Sequence, residues 1–191
     1  MSDAASDRTP RPWTGRLWLM MLPATHLTGG AASAAEFPPL SHGLTALGEP
    51  TPAPASRLQD LGGRPHDLAD FRGRLVLVNS WATRCPPCRR EMPSLEGRYQ
   101  QLRDRGLKVV AVDLGQDADT VFAFAGQLDP PPTFPMLLDP DGLAAPTWRV
   151  KGLPTSFLID PQGRVILRAV GGTEFDHPAT LEQLLPYLPT P

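Results

Sequence analysis

The stretch of sequence that decides the fold reads Trp81-Ala82-Thr83-Arg84-Cys85-Pro86-Pro87-Cys88-Arg89-Arg90-Glu91-Met92-Pro93. A continuous apolar run, residues 75–78, precedes it, as expected of a strand that is buried on both faces. Apolar residues at alternating steps of three and four follow it, which predicts a helix from near Cys85 to near Gly106. Both cysteines of the chain therefore lie where a buried strand turns into a helix.

This position favours redox chemistry at the two cysteines. Unpaired backbone N–H groups and the helix dipole favour a negative group at a helix start. A cysteine there has a lowered pKa, and the thiolate is the form that attacks disulfides. A second cysteine, one turn later, can close onto the first and release a mixed disulfide. The spacing of Cys85 and Cys88 therefore predicts thiol–disulfide exchange.

Three other interpretations of the cysteine pair stay open. A structural disulfide is one, although so small a loop stabilises a fold little. A metal site is the second, but it needs more ligands, and the four histidines are scattered at positions 26, 42, 66 and 177. Two unreactive buried thiols are the third, and a loop–helix junction is a poor place to bury them.

The rest of the pattern predicts an α/β fold. Residues 109–114 form a second buried strand, and a strand–helix–strand order favours parallel strands joined by a right-handed crossover. Residues 57–68, with a turn at Gly62-Gly63, predict a small N-terminal β-hairpin. A short strand over 134–138, an antiparallel hairpin over 155–170 and helices over 120–128 and 180–188 complete a mixed central sheet with helices on both faces.

Composition excludes several classes of protein. The chain has 191 residues, enough for one ordinary domain, with 18 basic and 20 acidic residues, a balance that argues against a nucleic-acid binder. Its 24 prolines disfavour a helical bundle or coiled coil. Two cysteines exclude a disulfide-stapled miniprotein and a four-cysteine zinc site.

The chain divides into three predicted segments. Residues 1–35 have the basic, apolar and small-residue order of a secretory signal, with an uncleaved membrane anchor and a disordered cytosolic extension as alternatives. Residues 36–55 are rich in proline and glycine, which predicts an extended, solvated linker. Residues 56–191 form the folded domain.

Two segments carry a resemblance to a known family. Residues 70–88, DFRGRLVLVNSWATRCPPC, resemble the TlpA/ResA-like thiol–disulfide oxidoreductases of the thioredoxin superfamily. Residues 150–160, VKGLPTSFLID, match the second signature of that family. The resemblance runs from about Arg57 to the C-terminus, and it implies a thioredoxin-like fold.

The resemblance also implies roles for individual residues. Cys85 becomes the attacking thiol, Cys88 the resolving thiol and Pro154 a cis-proline that faces them. Glu91 would help to move the proton of the resolving cysteine, unless it is simply a solvated acid near a helix start. A bend at Pro154 would leave the nearby backbone free to pair with an extended substrate peptide. The predicted substrate contacts are Trp81, Arg84, Pro86, Pro87, Leu153 and Thr155, although Trp81 also suits the core.

Two positions depart from the family pattern. The family usually has an aromatic residue at Ser80, and a tryptophan where this chain has Arg84. Our hypothesis is that the Arg84 charge stabilises the Cys85 thiolate, makes the couple a stronger oxidant and changes partner preference. The alternative is a solvated arginine without redox effect.

Together these features predict an exported enzyme, periplasmic or otherwise extracytoplasmic, that exchanges disulfides with protein substrates. Anchoring through its N-terminus is the alternative to a cleaved leader. The resemblance implies a reductive role, such as cytochrome c maturation, with electrons from a membrane partner. We expect a monomer without metal or any cofactor beyond the Cys85–Cys88 disulfide. The alternatives are a thiol peroxidase, for which Ala82 stands where a threonine is usual, and a non-catalytic domain that binds a metal or a protein.

Overall fold

The computed structural model describes residues 38–189, in which eight strands form one mixed sheet. The strands, in chain order β1 to β8, are Thr45–Pro52, Arg57–Asp60, Pro65–Asp67, Leu75–Trp81, Leu107–Leu114, Met136–Asp139, Thr155–Ile159 and Arg164–Val170. The helices α1 to α4 are Pro86–Leu102, Ala118–Ala125, Ala144–Thr147 and Pro178–Leu184. The order across the sheet is β1-β8-β7-β4-β5-β6-β2-β3.

Strand β4 is the centre of the sheet. It pairs in parallel with β5 and antiparallel with β7, and all seven of its residues are buried. Successive side chains of a strand point to opposite faces, so β4 supplies both layers of the core. Leu75, Leu77 and Trp81 pack with α1, whereas Val76 and Val78 pack on the other face, where Trp148 lies. The continuous apolar run in the sequence reflects this double burial.

Helix α1 begins directly after the end of β4. Cys85 is its N-cap, and prolines 86 and 87 occupy its first two positions, where a missing N–H costs nothing. A short 3-10 turn, Arg103–Arg105, extends the helix, and Gly106 ends it with a φ of 97°, a left-handed conformation that suits glycine. The cysteine pair therefore lies at the carboxyl end of the central strand.

The structure confirms the predicted α/β class and most of the predicted elements. The β4–β5 pair is parallel, the β7–β8 hairpin is antiparallel, and β2 and β3 form an antiparallel pair within the predicted N-terminal hairpin. The predicted helices correspond to α1, α2 and α4, the last extended by a 3-10 turn. The four-residue helix α3 was not predicted, because it is too short to show a period.

The prediction of a solvated linker over residues 36–55 is wrong for its second half. Residues 45–52 form β1, which pairs antiparallel with β8 at the edge of the sheet. Most of its side chains are exposed, so it shows no alternation of apolar and polar residues, and a register shift between Ala46 and Thr51 interrupts the pairing. Just before it, Leu44 is buried in the core. Proline is tolerated in such an edge strand, which explains the misleading composition.

The predicted leader, residues 1–35, lies outside the described residues, so export and cleavage stay predictions. Within residues 38–189, the structure contains no helix with the length and apolarity needed to cross a bilayer.

The burial of Leu44 leads to a prediction about stability. Leu44→Ala should lower the free energy of unfolding by about 2–5 kcal/mol, because it removes a core side chain. Gly48→Ala is the matched control in the same segment, since a Cβ there would meet nothing within 4 Å, and its effect should stay within about 0.5 kcal/mol. Denaturant unfolding measures both. Equal effects of the two substitutions would contradict the assignment of this segment to the fold.

Candidate redox site

The two cysteines form a disulfide across the first turn of α1. The S–S distance is 2.15 Å and the Cα atoms are 5.3 Å apart. The backbone N–H of Cys88, which has no partner within the helix, donates to Cys85 Sγ at 3.4 Å. Cys88 is completely buried, whereas Cys85 is only partly buried. Of the two, Cys85 is therefore the more accessible to a partner.

The peptide bond between Leu153 and Pro154 is cis, as the family resemblance implied. Strand β7 begins at the next residue, and Thr155 pairs with Ser80 of β4. Pro154 is therefore placed beside the end of β4, from which the chain continues to the disulfide. Its carbonyl accepts a hydrogen bond of 2.9 Å from Gly171 N–H, which joins this turn to the end of β8.

Glu91 lies one turn after Cys88 and is completely buried. Asn79 Nδ2 donates to its Oε1 at 2.8 Å, and the backbone N–H of Thr173 donates to its Oε2 at 2.9 Å. Burial raises the pKa of Glu91 to about 8, although both hydrogen bonds favour the charged form and oppose the rise. The interpretation of Glu91 as a solvated acid is therefore wrong, and the group can exchange a proton near neutral pH.

Asn79 connects Glu91 to the turn that carries the cis-proline. The same Nδ2 that binds Glu91 also donates to Ser156 Oγ at 2.9 Å, two residues after Pro154. Asn79 is completely buried on β4, and its Oδ1 has no hydrogen-bond partner among the described residues. Hydrogen-bonded polar side chains therefore join α1, β4 and β7.

Asp113 is a buried carboxylate that our sequence analysis missed. It lies opposite Trp81 in the parallel pairing of β4 with β5 and is completely buried. Burial raises the pKa of Asp113 to about 6, and the positive charge of Arg84 opposes the rise. The only signal in the sequence was a charged residue inside the predicted buried strand over residues 109–114.

The loop after β5 is tied to the turn that carries Arg84. Thr83 N–H donates to Gln116 Oε1 at 2.7 Å, and Gln116 Nε2 donates to Thr83 Oγ1 at 2.7 Å. Arg84 Nη2 donates to the Leu114 carbonyl at 3.3 Å. The Arg84 side chain therefore reaches toward the end of β5, on the side where Asp113 lies, while the residue as a whole stays exposed.

The predicted substrate contacts divide by exposure. Arg84 and Pro86 are exposed, and Pro87 and Leu153 are half-buried. Trp81 is completely buried and its ring lies 5.4 Å from the ring of Phe124, so it is a core residue rather than a surface contact. Thr155 is 2% exposed, and its hydroxyl donates to the Gly152 carbonyl at 2.7 Å, which fixes the turn before β7.

Two of the scattered histidines come together in the fold. The rings of His42 and His177 stack with centroids 3.9 Å apart, although 135 residues separate them in sequence. Even so, within residues 38–189 no group of three or more His, Cys, Asp or Glu side chains is arranged to hold a metal ion.

A disulfide at the start of a helix, a cis-proline just before the strand that pairs with β4, and a buried acid one helical turn after the second cysteine define a thioredoxin-type redox site. Comparison with known proteins agrees. Residues 50–168 match the model of the AhpC/TSA family. The chain is 34% identical to the thiol-disulfide oxidoreductase ResA of Bacillus subtilis over 131 residues, which is 69% of this chain and 72% of the relative.

Two further comparisons extend this result. The identity to ResA of Geobacillus thermodenitrificans is 39% over 121 residues, covering 63% of this chain and 68% of the relative. The crystal structure of a Chlorobium tepidum protein assigned as thiol:disulfide interchange protein DsbE superposes with a TM-score of 0.68 at 34% identity, covering 74% of this chain and 98% of that one. The chain therefore belongs to the AhpC/TSA family, among the ResA-like thiol–disulfide oxidoreductases of the thioredoxin superfamily.

The buried acid predicts a specific pH dependence of stability. Folded protein keeps the Glu91 proton up to about pH 8, whereas an unfolded chain releases it near the ordinary value of 4.5. The free energy of unfolding of the wild type should therefore fall relative to that of Glu91→Gln as pH rises through this interval, by at most about 1.4 kcal/mol for each pH unit. Denaturant unfolding of both proteins over this pH range measures the difference. A difference that is constant with pH would show that Glu91 is already ionised in the folded protein.

Proposed function

We propose that this thiol–disulfide oxidoreductase is exported and reduces disulfides of protein substrates through Cys85 and Cys88. The observation that carries the proposal is the disulfide at the start of α1, with a partly buried first sulfur and a completely buried second one. This asymmetry suits a first cysteine that meets the partner and a second one that acts only within the molecule.

The reduced protein would react in two steps. The Cys85 thiolate attacks one sulfur of a substrate disulfide, and the other substrate sulfur leaves as a thiolate, which gives a mixed disulfide. Cys88 then loses its proton and attacks Cys85 Sγ, which releases the second substrate sulfur. Two electrons pass from the cysteine pair to the substrate, and the Cys85–Cys88 disulfide seen here is the oxidised product.

Glu91 is the proposed base for the second step. Its carboxylate lies one helical turn from Cys88 and is shielded from water, and its pKa of about 8 is close to that of a thiol. A base matched in this way can take the Cys88 proton near neutral pH. Asn79 and Thr173 hold the two carboxylate oxygens and so orient the group.

The turn before β7 is the proposed docking edge for the substrate. An extended peptide would pair with the backbone at Leu153, in the manner of strand addition. Pro86, Pro87 and Arg84 would line the approach to Cys85, since all three are at least partly exposed.

The proposed cellular role rests on the family and on the predicted leader. An exported compartment is oxidising, so a reductase there must be recharged, and we propose a membrane electron donor. Substrates would include exported thiols such as those of cytochrome c apoproteins, and the protein would act as a monomer. A reduction potential far below −200 mV supports this direction, whereas a value near −120 mV, as for a strong oxidant, contradicts it.

Substitution of the two cysteines separates their roles. Cys85→Ser should abolish the reduction of insulin disulfides, because the attacking sulfur is lost. Cys88→Ser should also stop turnover but accumulate a mixed disulfide with the substrate, visible by mass spectrometry under non-reducing conditions. Trapping by Cys85→Ser instead of Cys88→Ser would reverse the assignment.

A thiol peroxidase is the second candidate, because the matching family model is that of AhpC/TSA. The residue three positions before Cys85 is Ala82, which is buried and has no hydroxyl to offer a peroxide. Consumption of hydrogen peroxide with a dithiol reductant would support this function. Retention of metal through gel filtration would support the third alternative, a non-catalytic metal-binding domain.

Arg84 allows a test of redox tuning. If its charge stabilises the Cys85 thiolate, Arg84→Trp should raise the pKa of Cys85 and lower the reduction potential, while Arg84→Lys keeps both near the wild-type values. Thiolate absorbance in the Cys88→Ser background measures the pKa, and equilibration with glutathione measures the potential. If Arg84→Trp leaves both quantities unchanged, the arginine is only a solvated surface residue.

A further inference from the structure

The segment just before β1 lies along the start of α1. We call this segment, residues 38–44, the N-terminal arm. Arg90 Nη2 donates to the Pro38 carbonyl at 2.7 Å. A Cβ on Gly172 would lie 2.5 Å from Leu40 Cδ2 and 3.3 Å from Pro87 Cβ, so Gly172 permits a close approach of the arm to the redox-active turn. The arm and the redox-active turn therefore both pack against Gly172.

Backbone hydrogen bonds fasten the arm to the loop after β8. Ser41 N–H donates to the Gly172 carbonyl at 2.8 Å, and Glu174 N–H donates to the Ser41 carbonyl at 2.8 Å. Between these bonds, Ser41 Oγ and Thr173 Oγ1 are 3.1 Å apart. Three contacts at one residue make Ser41 the point at which the arm is attached to residues 172–174.

Thr173, which Ser41 contacts, also binds the buried Glu91. Thr173 is 1% exposed, and its backbone N–H is the donor to Glu91 Oε2. The loop thus contacts the arm with its Gly172 carbonyl and Glu174 N–H, and contacts Glu91 with the N–H between them. The arm and Glu91 therefore share residues 172–174 as hydrogen-bond partners.

We propose that the N-terminal arm is a positioning element of the redox site, in which Ser41 holds residues 172–174 so that Thr173 N–H stays on the Glu91 carboxylate. In the hydrogen bonds of the described residues, Ser41 contacts neither the cysteines nor Glu91, so it acts only through residues 172–174. The inference rests on the proposed role of Glu91 as the base for Cys88.

The hydrogen bonds from Thr173 and Asn79, and not an ion pair, act on the charge of Glu91. On the arm and the loop, His42 Nε2 and Glu174 Oε2 pair at 2.9 Å. His177, before α4, stacks on His42 and accepts the Ala179 N–H, and Arg90 of α1 binds the Pro38 carbonyl. On α1 itself, Arg89 and Arg90 directly precede Glu91 and are exposed, and Cys88 lies one turn before it. None of the ion pairs of the described residues includes Glu91.

The test is the pH dependence of substrate reduction by the reduced full-length protein. Ser41→Pro removes the N–H that binds Gly172 and the hydroxyl that meets Thr173. With the Thr173 donor loosened, the charged form of Glu91 loses a hydrogen bond, so the acid limb of the single-turnover rate of insulin reduction should shift to higher pH by roughly half a unit to one unit. An unchanged acid limb in Ser41→Pro would overturn the inference.

Three controls separate positioning from general stability. Ala53→Pro removes a comparable bond, from Ala53 N–H to the Gly163 carbonyl at 3.0 Å, at the opposite end of β8, and should leave the pH profile unchanged. Ser41→Thr keeps the hydroxyl and should behave like the wild type, whereas Ser41→Ala should shift the profile less than Ser41→Pro. In a Glu91→Gln background, Ser41→Pro should cause no shift; a shift there would overturn the inference.

Failure of the proposed function has a different signature. If the wild type does not reduce insulin at any pH, the proposed function itself fails. If the wild type reduces insulin but Ser41→Pro and Ala53→Pro have identical profiles, only the role of the arm fails.

Discussion

The first turn of α1 is the constraint on which the rest of the site depends. A helix that starts at the end of a buried central strand points its free N–H groups at whatever side chain caps it, and here that side chain is Cys85. The sulfur of Cys88, one turn later, is then fully buried, and only the first sulfur is within reach of a partner. Strand, cap and helix thus impose different environments on two chemically identical groups.

One turn after Cys88, the protein buries Glu91 in surroundings that disfavour its charged form. Glu91 is buried, yet two donors from separate parts of the chain, Asn79 on β4 and Thr173 after β8, meet its oxygens. Burial and hydrogen bonding act in opposite directions on the pKa, and burial prevails. A carboxyl group poised in this way can accept and return a proton near neutral pH, which an exposed glutamate at its ordinary pKa cannot do as efficiently.

The sequence predicted the parts of the fold that local patterns encode and missed those that depend on distant contacts. The apolar run of β4 and the period of α1 placed the cysteines correctly, and the spacing from Cys88 placed Glu91 on the adjacent turn. Strand β1 escaped detection because its partner, β8, lies more than a hundred residues away and its own side chains face solvent. The role of Thr173 could not be predicted, because it acts through a backbone N–H that leaves no trace in residue type.

The central claim is that the fold makes Cys85 the reactive thiolate and Cys88 the protected thiol. Its most direct test is brief alkylation of the reduced protein with iodoacetamide at neutral pH, followed by peptide mass spectrometry of each cysteine. We predict that Cys85 is labelled at least roughly ten-fold faster than Cys88. Equal labelling, faster labelling of Cys88, or two unreactive thiols would contradict it.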